Sequence, residues 1–353
     1  MFNNLFLGEM KKSFGKVFHL VFGLIFILIF ALMTFSIHEI NVQIDLWDDP
    51  SDPPPTEEGD TYTEEDVDLM ILITEAQIET LEKQKNLTGF SWYQSNYDQI
   101  YLAKASLRYY NYIKDNELYG IPLDYHEGMD FSGIFMSGGK VTADGYIVQM
   151  LAIISSILMI YGIVIASGSF SKEYREGTIK ILFLRPITRT KLLISKALSV
   201  LTLSSIAYVI GFILTVIFGY SLFPTEYKDL IFSFGGGAFS LLRSDFQIFI
   251  AFFVYYLEMM SMVFIGFFMG TILRNRIWGI VIPMLLSGIG QFLTFTGLGR
   301  FFITDALNFS QYVGLHPVVT AGSNIFLSLG VYLFYMVGMA VLTYLSVNKR
   351  DLA

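Results

Sequence analysis

Cysteine is absent from the 353 residues, so disulfides, thiolate catalysis and cysteine metal ligation are all excluded. Charge is scarce too: Asp, Glu, Lys and Arg make up 15% of the chain, against about 25% in ordinary soluble domains. The four histidines, His19, His38, His126 and His316, lie too far apart to propose a metal site, and no H-E-x-x-H pair occurs. No G-x-x-x-x-G-K-S/T run exists, so the chain carries no P-loop for ATP. Gly235-Gly236-Gly237 follows no βαβ pattern and reads as a loop hinge. Without a catalytic constellation, the chain is not expected to be an enzyme by itself, and no metal or cofactor is expected to bind it directly.

What is abundant is apolar surface: 54% hydrophobic residues, 16% aromatic and a mean hydropathy of +0.55. A soluble chain of this length could not bury that much, so the class is integral membrane protein. Six nearly uncharged runs recur, at 17–37, 146–168, 199–222, 246–272, 277–298 and 324–346. Each is long enough to cross a bilayer as a helix. Continuous apolarity over about 20 residues excludes a transmembrane β-barrel, whose strands alternate over about 10. The first run lacks a small-x-small cleavage site and is read as a span, not a signal peptide.

Lys and Arg set the expected orientation. With the N-terminus inside, 14 basic residues fall in inner segments and only Lys228, Arg243 and Arg300 in the two short outer loops. Both termini are therefore expected in the cytosol. The net charge of −8 is an average of unlike parts: His38 to Gly145 holds 22 acids against 6 bases. The expected organisation is an all-α protein with an interfacial amphipathic helix at 1–16, a first span at 17–37, an acidic extracellular helical domain at 38–145, and spans two to six within 146–353.

The acidic domain reads as a stalk followed by a helical hairpin. The stretch DLWDDPSDPPPTEEGD, 45–60, is rich in Pro and acids and is expected to be extended. Thr61 with Glu64 forms a candidate capping box for a helix to about Lys85, with Val67, Met70, Ile71, Thr74, Ile78 and Leu81 on its apolar face. A Tyr-rich second helix is expected from about Tyr93 to Asn116. Its tyrosines fit a small core or a dimer contact better than a substrate surface. At the N-terminus, Phe2, Leu5, Phe6, Met10 and Phe14 share one face and Asn3, Asn4, Glu9, Lys11 and Lys12 the other, as in a helix lying along the inner membrane surface.

Between the second and third runs lies KEYREGTIKILFLRPITRTKLL, 172–193. Positive-inside bias explains its bases, and Arg185, Arg189, Lys191 and Lys196 suit lipid headgroups as well as a protein partner. It does not explain Glu173, Glu176, Gly177 and Thr178, which gain nothing from anionic lipid. Gly177 permits a sharp turn, Ile179, Ile181, Leu182 and Leu184 could bury against a partner in a short helix begun by Thr178, and Pro186 would stop that helix.

The form E-x-x-x-G-T-I-K-x-L-x-x-R-P-I-x-R-x-K-L-L-x-x-K, from Glu173 to Lys196, together with six expected spans, a surface N-terminal helix and the ending Lys349-Arg350-Asp351-Leu352, resembles the permease subunits of ABC-2 type exporters. The resemblance covers nearly all of the membrane part and leaves the large outer domain least explained. It implies a coupling segment, 169–198, docked on a separate cytosolic ABC ATPase that holds ATP and Mg. Glu173, Arg175, Glu176, Gly177, Thr178, Ile181, Leu182, Pro186 and Arg189 would couple the two subunits. It implies also a dimer with a second copy or a homologue, a plasma membrane location and no role for nucleic acid, and the cysteine-free outer domain suits a bacterial surface. Peptide, ion, lipid and drug export stay open as substrate classes. The competing reading is a non-transporting receptor or scaffold that senses a ligand through the outer hairpin.

Glu258 stands mid-run among Tyr255, Tyr256, Met259, Met260 and Met262. A charge there costs roughly 2.5–3.5 kcal/mol on insertion scales. It is expected either to line a translocation path with Gln291 or to hydrogen-bond a neighbour such as Gln291 or Tyr256. The loop Gly297–Ser323 is half apolar and, by the resemblance, is expected to hold short re-entrant helices; a partly buried surface loop fits it nearly as well.

Overall fold

The computed structural model describes residues 2–13, 16–47, 63–85, 90–119, 141–178, 188–225, 229–234, 238–294, 301–307, 309–312 and 325–349. The helices are α1 Phe2–Ser13, α2 Lys16–Trp47, α3 Glu64–Lys85, α4 Phe90–Asp115, α5 Ala143–Arg175, α6 Arg189–Leu222, α7 Ser244–Ile272, α8 Arg276–Thr294, α9 Ile303–Leu307 and α10 Ile325–Lys349. A 3₁₀ turn, Phe309–Tyr312, follows α9. Among the described residues, five helices are long and apolar enough to cross a membrane: Phe18–Glu39 in α2, then α5, α6, Phe246–Ile272 in α7 and Ile325–Asn348 in α10.

The run expected as the fifth span is α8, described from Arg276 to Thr294. Its 19 described residues extend about 28 Å at 1.5 Å per residue, and within them Arg276–Ile289 is apolar. Pro283 lies inside it and cannot donate to the carbonyl of Gly279, one turn earlier. The first span outruns its expected limit. Sequence hydropathy ends the span at Ile37, but α2 continues as helix to Trp47, because HEINVQIDLW contains no helix breaker.

One short β-ribbon accompanies the helices of this all-helical fold. Between α6 and α7, strands β1 Asp229–Phe234 and β2 Ala238–Arg243 pair antiparallel, from Asp229 opposite Arg243 to Phe234 opposite Ala238. Both strands are rich in aromatic and aliphatic residues, and three glycines separate them, which is hairpin chemistry. Residues 235–237, read from sequence as a hinge, lie outside the described residues.

Helix α5 lies at the centre, against α6, α7 and α8. Glycine makes the closest approaches possible. A Cβ on Gly270 of α7 would sit 2.5 Å from the Ser167 carbonyl oxygen and 2.7 Å from the Ser167 Cα in α5. One on Gly279 of α8 would sit 2.8 Å from the Gly270 Cα and the Ser167 Cβ. Gly162 of α5 likewise meets the Val263 side chain of α7. Three helices thus meet backbone to backbone, where dispersion and close fit hold apolar helices together. The N-terminal end of α5 is sealed against the end of α6: Thr142 caps α5 by accepting from Gly145 N–H, Ala143 N–H donates to Pro224 O at 2.9 Å, and Tyr146 stacks on Phe223.

The acidic hairpin forms as expected in α3 and α4. Val67, Thr74, Ile78 and Leu81 are buried, with Tyr109 and Ile113 of α4 in the same small core around Val67. Tyr109 is thus a core residue. Lys114–Asp68 and Lys104–Glu82, each 2.6 Å, bridge the two helices across exposed edges. The capping box sits two residues later than Thr61–Glu64: Thr63 N–H donates to Asp66 Oδ2 at 2.9 Å, and Asp66 N–H donates to Thr63 Oγ1 at 3.2 Å. The hydroxyl and N–H of Thr63 hold the Asp66 carboxyl below its ordinary range. Thr61 and most of the expected stalk lie outside the described residues.

Candidate functional site

The chain ends of α5 and α6 and the helix α1 meet at one end of the bundle, around a single amine. Lys196, in the third turn of α6, is only 2% exposed. Its Nζ donates to Glu9 Oε2 of α1 at 2.8 Å, to Glu173 Oε1 of α5 at 2.8 Å and to the Ser169 carbonyl at 3.0 Å. The ammonium also lies 5.1 Å from the centre of the Phe170 ring. Three donors meet three acceptors, so the lysine is fully used.

This overturns two expectations. Lys196 meets neither lipid headgroups nor a surface partner; it is interior. Glu9 does not sit on the water-facing side of α1 but is buried, while Leu7 is 54% exposed. The physical reason is that an interior ammonium, once fixed by Glu173, offers the Glu9 carboxylate a better partner than its helix-wheel position predicts. Glu173 faces this cluster and is buried, so it cannot touch a docked protein directly.

The next residues turn outward. Arg175, Glu176 and Gly177 are exposed, and Thr178 is half-buried. Glu176 N–H closes the last turn of α5 on Lys172 O, and Gly177 N–H donates to Tyr174 O. Gly177 has φ +67°, the left-handed conformation that ends many helices. The Thr178 hydroxyl folds back toward the Glu173 carbonyl at 3.5 Å. Nothing lies within 4 Å of a Cβ added at Gly177, so only backbone strain opposes substitution. Gly177→Ala should therefore lower stability by about 1 kcal/mol, and Gly177→Asn by less, in chemical denaturation of the purified protein. Equal stability of all three would remove the conformational role of this glycine.

Ile181, Leu182 and Pro186, with Arg185, lie outside the described residues. The chain resumes at Thr188, whose side chain accepts from Lys191 N–H and caps α6. Arg189 is half-buried and reaches another helix: its Nη1 donates to Val347 O and Asn348 O, each 3.2 Å, at the end of α10. A guanidinium there satisfies carbonyls that the helix end leaves open and suits the negative pole of its dipole. Arg274, in the α7–α8 turn, stacks 4.7 Å over the Tyr174 ring. One end of the bundle thus gathers charged residues of α1, α5, α6 and the α7–α8 turn with the terminal carbonyls of α10, while Arg175, Glu176, Gly177 and Lys191 stay exposed there.

Glu258 of α7 has a hydrogen-bond partner that the sequence did not suggest. Its Oε1 accepts from Ser310 N–H at 2.8 Å, in the 3₁₀ turn after α9. Tyr256 bonds elsewhere, to Ser205 at 2.8 Å; the Gln291 side chain is outside the described residues. Ile303, Ala306, Leu307, Phe309 and Ser310 are all buried, so α9 and the turn form an inserted plug beside α7, α8 and α10. Glu258→Ala should lower stability by about 1–3 kcal/mol, because Ser310 N–H loses its acceptor in a buried place. Glu258→Gln keeps an acceptor and should lose far less. Equal losses for both would detach Glu258 from the plug.

Among the described residues, no group of three or more His, Asp or Glu could hold a metal ion. Two features were missed in the sequence. The Lys196 cluster joins residues 187 apart, which no local spacing reports; the Gly266-x-x-x-Gly270 spacing in α7 was available as a close-packing signal.

No solved structure matches this chain. The chain is 26% identical over 205 residues to the uncharacterized membrane protein YdbK of Bacillus subtilis (strain 168), a match covering 55% of this chain and 78% of that protein. With its apolar helices, that similarity places the chain among multi-pass membrane proteins. Residues 112–353 match the family described as "Protein of unknown function (DUF2705)", and the chain belongs to that family.

Proposed function

We propose that the chain is the transmembrane permease subunit of an ATP-driven exporter of the ABC-2 type. In this reading α8 completes a set of six spans, both termini and the charged end of the bundle face the cytosol of a bacterial cell, and the α3–α4 hairpin stands outside. A separate P-loop ATPase, carrying ATP and Mg, docks on segment 169–198. A second copy or a homologue completes the substrate pathway.

The observation that carries the reading is the exposed turn Arg175-Glu176-Gly177-Thr178 at the tip of the central helix α5. A push on that turn acts on the helix most deeply interlocked with its neighbours. Through Ser167–Gly270 and Gly162–Val263 it bears on α7, and Glu258 of α7 holds the plug. Direct contact with the ATPase falls to Arg175, Glu176, Gly177 and Thr178, with Ile181, Leu182 and Pro186 completing the surface. Glu173 and Arg189 act from behind it, by fixing its two ends.

Purification of the full chain from its native host tests this. A P-loop ATPase should co-purify with the wild type and be lost from Glu176→Arg, whose side chain is exposed and whose fold should be unchanged. Absence of any such ATPase from the wild-type preparation would leave the receptor or scaffold reading in its place.

A further inference from the structure

We propose that Lys196 is a positioning residue, holding α1 to the C-terminal end of α5 so that the surface helix and the turn at 175–178 move as one body. The consequence for transport rests on the exporter reading above. The mechanical claim does not.

Three observations carry it. Each donor of the ammonium is committed within the protein, to Glu9, Glu173 and Ser169 O. Those partners lie on two different helices, neither of them the lysine's own, so the amine acts as a three-way joint. Elsewhere α1 packs chiefly on α6. Ser199 Oγ reaches Phe6 O at 3.4 Å, Leu5 is partly buried against the cluster of Phe170 and Leu192, and Leu7 stays exposed. Buried ion pairs add little net stability compared with apolar replacements, but they strongly penalise any arrangement that leaves a member unpaired. Here the arrangement selected is the seat of α1 against α5 and α6. Thr178 and Gly177 follow Glu173 within five residues, so the same joint fixes where the exposed turn begins.

Absence of native cysteine makes the test direct. Spin labels at Leu7→Cys and Ile194→Cys, both exposed positions, report the α1–α6 distance in the full chain in detergent. With Lys196 intact the distance distribution should be narrow. The neutral combination Lys196→Met, Glu9→Gln, Glu173→Gln removes every charge of the joint together, so no unpaired buried charge forces unfolding. In that variant, checked as folded by gel filtration, the distribution should broaden; a distribution that stays narrow overturns the proposal. In the complex with its ATPase, nucleotide should shift the distance from Leu7→Cys to a label on a lipid-facing position of α10, such as Phe334→Cys, in the wild type only. A broadened neutral variant without any nucleotide shift in the wild type would instead count against the exporter reading.

Discussion

Lys196→Met should lower the unfolding free energy by about 3–5 kcal/mol, the usual loss when one partner of a buried ion pair is removed. The wild type places Glu9 and Glu173 on the same ammonium, each 2.8 Å away. Methionine fills much the same volume, so little cavity is created; what remains is two buried carboxylates that have lost the ammonium they share. Set against typical domain stabilities of about 5–15 kcal/mol, the loss is large enough to reduce membrane yield visibly. Adding Glu9→Gln and Glu173→Gln should restore most of the stability, since the penalty lies in unpaired charge and not in lost packing. The comparison is read by denaturation in detergent. A Lys196→Met single variant as stable as the wild type would contradict the buried joint.

Gly270→Leu should be nearly as damaging, by a different route. The added Cβ alone would sit 2.5 Å from the Ser167 carbonyl oxygen and 2.7 Å from its Cα, and these are backbone atoms that cannot rotate aside. Helices α5 and α7 must then separate, and α8 with them, because Gly279 rests on Gly270 and Ser167. Overpacking typically costs about 1–3 kcal/mol, and a backbone obstacle places this case at the upper end. Gly338→Leu in α10 is the control: nothing lies within 4 Å of its added Cβ, so stability should hardly change. Equal behaviour of the two variants, by melting of the purified protein, would remove the tight crossing from the account.

The fold was legible wherever one local rule governs. Long uncharged runs predict α7 and α10 within a few residues of their observed limits, because backbone groups in an apolar medium must bond within their own helix, but α5 runs on past 168 to Arg175 and α6 begins at Arg189, well before 199. The apolar face of α3 was legible from its period, and Val67, Thr74, Ile78 and Leu81 are indeed inside. The β1–β2 ribbon was not, since six-residue strands leave no mark on a search for 20-residue spans.

The candidate site was legible in composition and not in contact. Glu173, Gly177, Arg189 and Lys196 stand out as a motif, but their contacts depend on which helices come together at that end. Gly177 performs the turn its residue type announces, with φ +67°. Arg189 reads as a surface cation and instead holds two carbonyls of α10, 158 and 159 residues away. Glu9 is the clearest case. A helical wheel assigns a carboxylate to water, and only the distant Lys196 reverses that assignment. For Glu258 the sequence narrows the choice to a path residue or a structural hydrogen bond; the acceptor role toward Ser310 follows from the inserted plug, which hydropathy does not reveal.

The central claim is that a separate ATPase pushes on the turn after α5, and a photoreactive amino acid at Glu176 tests it most directly. The side chain is exposed, it lies beside the left-handed Gly177, and the chain has no native cysteine to complicate a parallel disulfide trap. Illumination in living cells, followed by mass spectrometry, should yield one dominant adduct with a P-loop ATPase, and the same reagent at exposed Leu72 of α3 should not. Adducts with lipid alone, or with no ATPase among the proteins captured at Glu176, would contradict the account.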